Sequence, residues 1–122
     1  MTQVGTGKYT YEIKHDFPKL PAGEEFGVIS RVATDSQDRF YVFQRKDPPM
    51  LVFDREGKPW MIIECKAPAL KISTRTVHQA SIYNFTLKAK YLVVTNGLKH
   101  FCYQTDWINT TTTPHDSIPE YS

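Results

Sequence analysis

Two charged side chains follow a run of apolar residues in the stretch PWMIIECKAP, residues 59–68. The apolar run is typical of a buried strand, and burying a charge is costly unless another group pairs with it. Alternate residues of a strand point to the same face, so Glu64 and Lys66 are expected to lie side by side. A carboxylate can bind a divalent cation, and a neighbouring ammonium can hold water or a phosphoryl oxygen. The spacing indicates metal-assisted phosphodiester hydrolysis; the alternative is an exposed ion pair at the solvated end of a strand, which stabilises little.

A second pair of polar side chains comes one short loop later. Gln79 and Tyr83 are four residues apart in QASIY, and this spacing places them on one face of a helix. An amide and a phenol are suitable partners for a phosphate or a catalytic lysine. We therefore expect the helix to turn Gln79 and Tyr83 toward Glu64 and Lys66.

The first half of the chain reads as antiparallel β-structure. Aromatic and β-branched runs, separated by the turn signals SQD and KDPP, lie at residues 28–35, 39–45 and 50–54. Such runs predict a meander of short strands. The turn DREGK (54–58) then leads into the strand that carries Glu64.

The second half reads as strand, helix, strand. Ser73 or Thr74 can cap a helix over about 74–88, where apolar residues recur at helical spacing. YLVVT (91–95) is a second buried strand, so the three elements form a βαβ unit, whose crossover should be right-handed.

A hairpin and a polar tail close the sequence. Asn96-Gly97 is a strong two-residue turn signal and leads into a strand at 98–104. The tail from residue 107 contains a threonine run and prolines, and we expect it to be irregular. The sequence thus predicts an α+β fold: a mixed β-sheet with N-terminal antiparallel hairpins, one main helix and a C-terminal Asn-Gly hairpin.

Size and composition set limits on the possible classes of protein. The 122 residues, 40% hydrophobic and 23% charged, suit one globular domain over 1–122. A net charge of +2 permits a DNA partner without requiring one. No apolar run approaches the roughly 18 residues of a membrane span, and residues 1–17 lack an apolar signal core, so we expect a cytoplasmic protein with no membrane partner. One helix covers only part of such a sheet, which makes a homo-oligomer possible.

From about residue 50 to 121 the chain resembles the second half of the N-terminal endonuclease domain of type I restriction enzyme R subunits, a PD-(D/E)xK nuclease fold. The matching stretches are FDREGKPWMIIECKAP, the helix with Gln79, Tyr83 and Asn84, LKAKYLVVTNGLKHFC, and the closing IPEY. The resemblance implies that Glu64 and Lys66 are catalytic, supported by Gln79 and Tyr83. It also implies Mg²⁺ as the cofactor and DNA as the substrate.

One position departs from the pattern of that family. The resemblance requires a metal-binding Asp on the preceding strand, and counting back places this position at Pro49. The nearest carboxylate is Asp47. Strand alternation would keep Asp47 on the same face as that position, but Pro48-Pro49 disrupts the ladder, and Asp47 lies roughly 7 Å too far along the chain. We therefore expect Asp47 and Glu64 to be the available metal ligands, and the activity to be weak or missing.

Residues 17–58 resemble something else, one blade of an NHL-type six-bladed β-propeller. The phrases that carry this resemblance are VATDSQDR and PMLVFDREG. A single blade cannot close a propeller, so the two resemblances imply a composite of residues 1–58, blade-like, and 59–122, nuclease-like. Two main functions stay open: an impaired Mg²⁺-dependent nuclease, and an engineered or recombined chimeric fold without catalytic function. A third, a propeller-type interaction module, would need several further blades.

Overall fold

The computed structural model describes residues 2–115 and 117–119. It contains one helix and nine strands in this part of the chain: β1 (Thr2–Thr6), β2 (Tyr9–Ile13), β3 (Ile29–Thr34), β4 (Phe40–Gln44), β5 (Met50–Phe53), β6 (Pro59–Cys65), α1 (Thr74–Leu87), β7 (Tyr91–Thr95), β8 (His100–Asp106) and β9 (Thr111–His115). The prediction of an α+β fold with a mixed sheet and one main helix is confirmed. Glu120 and Tyr121 of the closing IPEY lie outside the described residues.

Seven strands form one mixed sheet in chain order, β3-β4-β5-β6-β7-β8-β9. All neighbours in it are antiparallel except β6 and β7, which are parallel and joined through α1. The predicted βαβ unit is therefore present, flanked by an antiparallel meander on each side. The sheet is continuous across the boundary at residues 58 and 59.

Helix α1 begins and ends at side chains that satisfy its free backbone groups. Ser73 caps the first turn by accepting from the Thr76 amide, while the Thr76 hydroxyl accepts from the Ser73 amide. At the other end Lys88 adopts the left-handed conformation, with φ of 55°. The buried Asn84 amide donates to the Ala89 carbonyl at 3.0 Å and accepts from the Ala89 N–H at 2.8 Å. These bonds fix where the chain turns from α1 into β7.

The main core lies between the sheet and α1. Ala80 and Leu87 of the helix pack there, and the segment before β3 adds Leu20 and Phe26. The sheet side chains of this core are Val42, Leu51, Phe53, Ile62, Leu92 and Val94. Fully burying one such side chain stabilises the fold by about 1.5–3 kcal/mol. We call this face of the sheet the helix side.

The opposite face of the sheet, the open side, is covered less completely. Four buried side chains line it, namely Val52, Met61, Val93 and Cys102. No described helix or strand packs over them, and Phe43 nearby is 41% exposed. The β1–β2 hairpin contacts no other described helix or strand, and its Tyr9 and Tyr11 are more than 60% exposed. Exposed apolar area is thus present as expected, while the homo-oligomer stays a prediction.

A buried carboxylate organises the turn between β3 and β4. Asp35 accepts from the backbone amides of Gln37 and Arg39, from Arg39 Nε at 2.6 Å and from the Tyr41 hydroxyl at 2.8 Å. Burial alone would raise the pKa of Asp35, but these hydrogen bonds, led by that of Arg39, outweigh burial and lower the pKa to about 2. The turn is therefore stabilised by an ionised Asp35.

The tail was predicted to be irregular, and this prediction is wrong for residues 111–115. They form β9, which pairs antiparallel with β8. The intervening turn is held by Asp106, whose carboxylate accepts from the amides of Ile108 and Asn109. β-Branched threonines suit a strand, and Thr105 and Thr112 join their hydroxyls across the pair at 2.9 Å. Pairing with β8, which a local sequence pattern does not encode, determines this conformation.

None of the described helices is both long and apolar enough to cross a membrane.

Candidate functional site

Glu64 and Lys66 lie at the carboxyl end of β6, in the middle of the sheet. Glu64 pairs with Val94 across the parallel β6–β7 ladder, and the Lys66 amide donates to the Thr95 carbonyl at 2.8 Å. Both side chains project to the same face, as alternation predicts, and Lys66 Nζ is 3.6 Å from Glu64 Oε1. The carboxyl ends of parallel strands are where α/β sheets bind ligands.

Glu64 is a buried carboxylate with an unsatisfied oxygen. The residue is 3% exposed, and Oε2 has no hydrogen-bond partner among the described residues. An unpaired buried oxygen of this kind is costly. The alternative interpretation, an ion pair in solvent, does not hold for Glu64, although the Lys66 side chain is 28% exposed. The packing therefore buries the Glu64 carboxylate and leaves the Lys66 side chain accessible to water.

The pKa of Glu64 is raised from its ordinary value. Burial is the main cause, because it disfavours the charged form, and the negative charge of Asp47 adds to the effect. The positive charge of Lys66 lowers the pKa but does not cancel the other two effects. A positive ion beside Glu64 would favour the ionised carboxylate.

Asp47 is close enough to Glu64 for this electrostatic effect, but it is not on a strand. It is an exposed residue of the loop 45–49 between β4 and β5. Strand alternation therefore does not describe its position, because residues 45–49 form a loop between two strands. Pro49 ends this loop, and its carbonyl accepts from the Gln44 amide at 2.8 Å.

The two helix residues Gln79 and Tyr83 lie in different surroundings. Tyr83 is 39% exposed and lines a cavity of about 270 Å³ together with Asp47 and Leu51. Gln79 is exposed, and within the described residues no hydrogen bond joins its side chain to Glu64, Lys66 or Asp47. The fold brings Tyr83 to the loop that carries Asp47, whereas Gln79 lies in solvent on the preceding turn of the helix.

Two polar residues near the site have structural contacts that sequence reasoning missed. Asn84, part of the family resemblance, bonds to the Ala89 backbone and closes the helix. Gln44 at the end of β4 is 3% exposed, and each polar atom of its side chain has a hydrogen bond. In the sequence, Gln44 follows Phe40 and Val42 at intervals of two residues, so it shares their inward face of the strand. This spacing could have identified Gln44 as an amide in a core position.

Two carboxylates, Glu64 and Asp47, are the candidate ligands for a divalent cation. Among residues 2–115 and 117–119, no cluster of three Asp, Glu, His or Cys side chains could hold a metal ion. Mg²⁺, however, is usually bound by only one or two carboxylates and keeps several waters. Glu64, with its unsatisfied oxygen, and Asp47 fit this requirement.

The sequence was compared with known proteins. The profile of the family described as Type I restriction enzyme R protein N terminus (HSDR_N) matches residues 29–119. The match begins at β3, so it includes strands that also resemble a propeller blade; that blade and the chimeric origin stay predictions. No curated protein and no solved structure matches the chain significantly. Because the family profile spans most of its 122 residues, the chain belongs to the family of type I restriction enzyme R protein N-terminal regions.

Proposed function

We propose that this chain is a restriction-endonuclease-like module for Mg²⁺-dependent hydrolysis of DNA phosphodiesters, with reduced activity. In this proposal Glu64 and Asp47 are the cation ligands, and Lys66 positions the attacking water or a phosphate oxygen. The observation that carries it is the buried Oε2 of Glu64, which has no partner among the described residues. Membership of the restriction enzyme family supports the same chemistry.

A cation explains why the chain keeps a carboxylate in this position. Glu64 is 3% exposed and pairs with Val94 in the sheet, and a hydrophobic residue there would avoid the cost of burying a charge. When bound, Mg²⁺ would lower the pKa of a coordinated water and neutralise charge that develops on the phosphate. Glu64 supplies an oxygen that forms no competing hydrogen bond, and Asp47 supplies a second negative charge from the loop.

Lys66 is suited to the substrate side of the reaction. Its ammonium lies 3.6 Å from Glu64 Oε1, and its side chain is 28% exposed. It can therefore remain near the carboxylate while it donates hydrogen bonds to a water or to a non-bridging phosphate oxygen. The phenol of Tyr83, beside the loop of Asp47, supports the substrate from the helix, and Gln79 would join it on the same helix face.

The expected weakness of the activity follows from Pro49. The resemblance places a metal-binding Asp at that position, and proline offers no side-chain oxygen. Asp47 substitutes for it from an exposed loop, where a carboxylate is held less firmly than on a strand. The proposal is therefore a low rate of cleavage with an intact requirement for Glu64.

The test is cleavage of supercoiled plasmid DNA in Mg²⁺ or Mn²⁺ by the wild type and by Glu64→Ala and Lys66→Ala. The chain contains a matched control with the same spacing: Glu56 and Lys58, whose Oε2 and Nζ are 3.8 Å apart and whose side chains are about 70% exposed. We expect cutting to be lost in the two site variants and kept in Glu56→Ala and Lys58→Ala. Cutting that survives both site changes would refute the assignment.

A second candidate is a folded chimera, engineered or recombined, without catalytic function. The specific observation in its favour is Pro49, which lacks the metal-binding carboxylate that the resemblance requires at this position. It predicts no metal-dependent cleavage and no Mn²⁺ binding by the wild type. Turnover that disappears in Glu64→Ala would exclude it.

A further inference from the structure

Gln44 is a buried polar residue that the proposed chemistry does not use. It is the last residue of β4 and points to the helix side of the sheet, with 3% exposure. A buried amide requires partners for its oxygen and its nitrogen. Those partners determine what Gln44 does in the fold.

The hydrogen bonds of Gln44 join three segments of the chain. Its Oε1 accepts from the Gly27 amide at 2.8 Å, and its Nε2 donates to the Pro48 carbonyl at 2.9 Å. Its backbone amide donates to the Pro49 carbonyl at 2.8 Å. One side chain thus connects the end of β4, the loop 45–49 and the segment before β3.

Further contacts attach the same loop to the segment before β3. Arg45 donates its amide to the Val28 carbonyl at 2.8 Å, and Lys46 Nζ donates to the Glu25 carbonyl at 2.6 Å. The two segments approach so closely at Gly27 that a Cβ there would lie 2.7 Å from Lys46 Cβ. Asp47 comes directly after these fixed residues and directly before the buried Pro48.

We infer that Gln44 is a positioning residue, which holds the loop 45–49, and with it Asp47, at the start of β5, the strand that pairs with the strand of Glu64. The inference rests on the proposed function, because it assigns Gln44 to the placement of a cation ligand. A carboxylate on a strand is fixed by the ladder of its neighbours. Asp47 is not on a strand, so no ladder of backbone hydrogen bonds fixes it. The hydrogen bonds of Gln44 to Gly27 and to Pro48 hold its loop instead.

Hydrogen exchange tests the structural half of the inference without reference to catalysis. Gln44→Met keeps the packing volume but removes both side-chain bonds, and Gln44→Glu keeps an acceptor for Gly27 but loses the donor to Pro48. We expect the amides of Gly27 and Arg45 to exchange at least about tenfold faster in Gln44→Met. In Gln44→Glu we expect this only for Arg45. The matched control is Gln104→Met on β8, and unchanged exchange of Arg45 in Gln44→Met would overturn the inference.

Mn²⁺ binding tests whether Gln44 acts through Asp47. Calorimetric titration would compare the wild type, Gln44→Met, Asp47→Ala and the double variant. We expect each single change to weaken the affinity about tenfold or more. The double variant should bind no more weakly than Asp47→Ala, because the effect of Gln44 depends on that carboxylate; additive losses would overturn the inference. A wild type that binds no Mn²⁺ would refute the proposed function, while the exchange rates would still decide whether Gln44 fixes the loop.

Discussion

Glu64 carries a buried charge, and removing that charge should stabilise the fold. One of its oxygens interacts with Lys66 Nζ at 3.6 Å, whereas Oε2 is unsatisfied within the described part of the chain. We predict that Glu64→Met has a higher free energy of unfolding than the wild type in the absence of divalent cations. Methionine fills a similar volume and requires no hydrogen bond.

The size of the expected gain follows from two costs that the substitution removes, that of an unsatisfied buried oxygen and that of a buried charge. An unsatisfied buried polar group costs about 1–3 kcal/mol, and replacing buried ion pairs by apolar residues has stabilised proteins by about 1–4 kcal/mol. The Lys66 side chain is 28% exposed, so its ammonium can turn to water and is not left buried without a partner. We therefore expect a gain of about 2 kcal/mol, equivalent to a rise in Tm of about 8 °C for a domain of this length.

The assay is urea unfolding with calorimetry at pH 7.5, in chelator, with Glu56→Met as the matched control. Glu56 has the same spacing to a lysine, but its side chain is 71% exposed. Its substitution should change the free energy of unfolding by less than about 0.5 kcal/mol. The contrast between the two variants isolates the effect of burial.

The pH dependence gives the same prediction an independent check. Burial and Asp47 raise the pKa of Glu64 in the folded protein above its ordinary value of 4.5. Between 4.5 and that raised pKa the folded state binds more protons than the unfolded state, so the wild type gains stability as the pH falls through this window. The advantage of Glu64→Met should therefore shrink on acidification. The reasoning is refuted if Glu64→Met is no more stable than the wild type at pH 7.5, or if its advantage is undiminished at pH 4.5.

Three further predictions concern the cation, the turn and the helix end. MgCl₂ at tenfold its dissociation constant should stabilise the wild type by about 1.4 kcal/mol and leave Glu64→Met unchanged in a thermal shift assay; equal shifts would contradict the site. Asp35→Asn should have a lower free energy of unfolding than the wild type at pH 7 but approach it near pH 2. The pKa of Asp35 is lowered to about 2, so the contribution of its carboxylate disappears as the pH falls through that value. A difference in the free energy of urea unfolding that stays constant with pH would contradict this. Asn84→Ala should cost about 2–3 kcal/mol, since it removes two bonds to Ala89, and a loss below 0.5 kcal/mol would show that the bonds are dispensable.

Local patterns predicted the elements well where the local preference and the tertiary environment agreed. The helix over 74–88 is Thr74–Leu87, and the strand at 91–95 is Tyr91–Thr95, because helical spacing and continuous apolar runs describe faces that the core then buries. The strand predicted at 98–104 is shifted by two residues to His100–Asp106. Leu98 is left in the turn, 75% exposed.

Long-range pairing explains the failures. The polar tail has no apolar face that predicts burial, yet β8 offers it an edge, and residues 111–115 become a strand. Alternation describes Asp47 only if the strand continues through Pro48 and Pro49, which disrupt the ladder. The residue instead belongs to a loop whose course is set by Gln44 and by the segment before β3.

The sequence by itself indicated the α+β class, the strand-helix-strand unit and the common face of Glu64 and Lys66, because backbone periodicity is a local property. Only the tertiary structure decided that Glu64 is buried with one oxygen unsatisfied, while the Lys66 side chain is accessible to water. It also decided that Tyr83 lines a cavity with Asp47, which lies in a loop, and that Gln79 is exposed to solvent. These properties depend on which distant segments pack together, and no spacing along the chain encodes the distance or the dielectric environment between them.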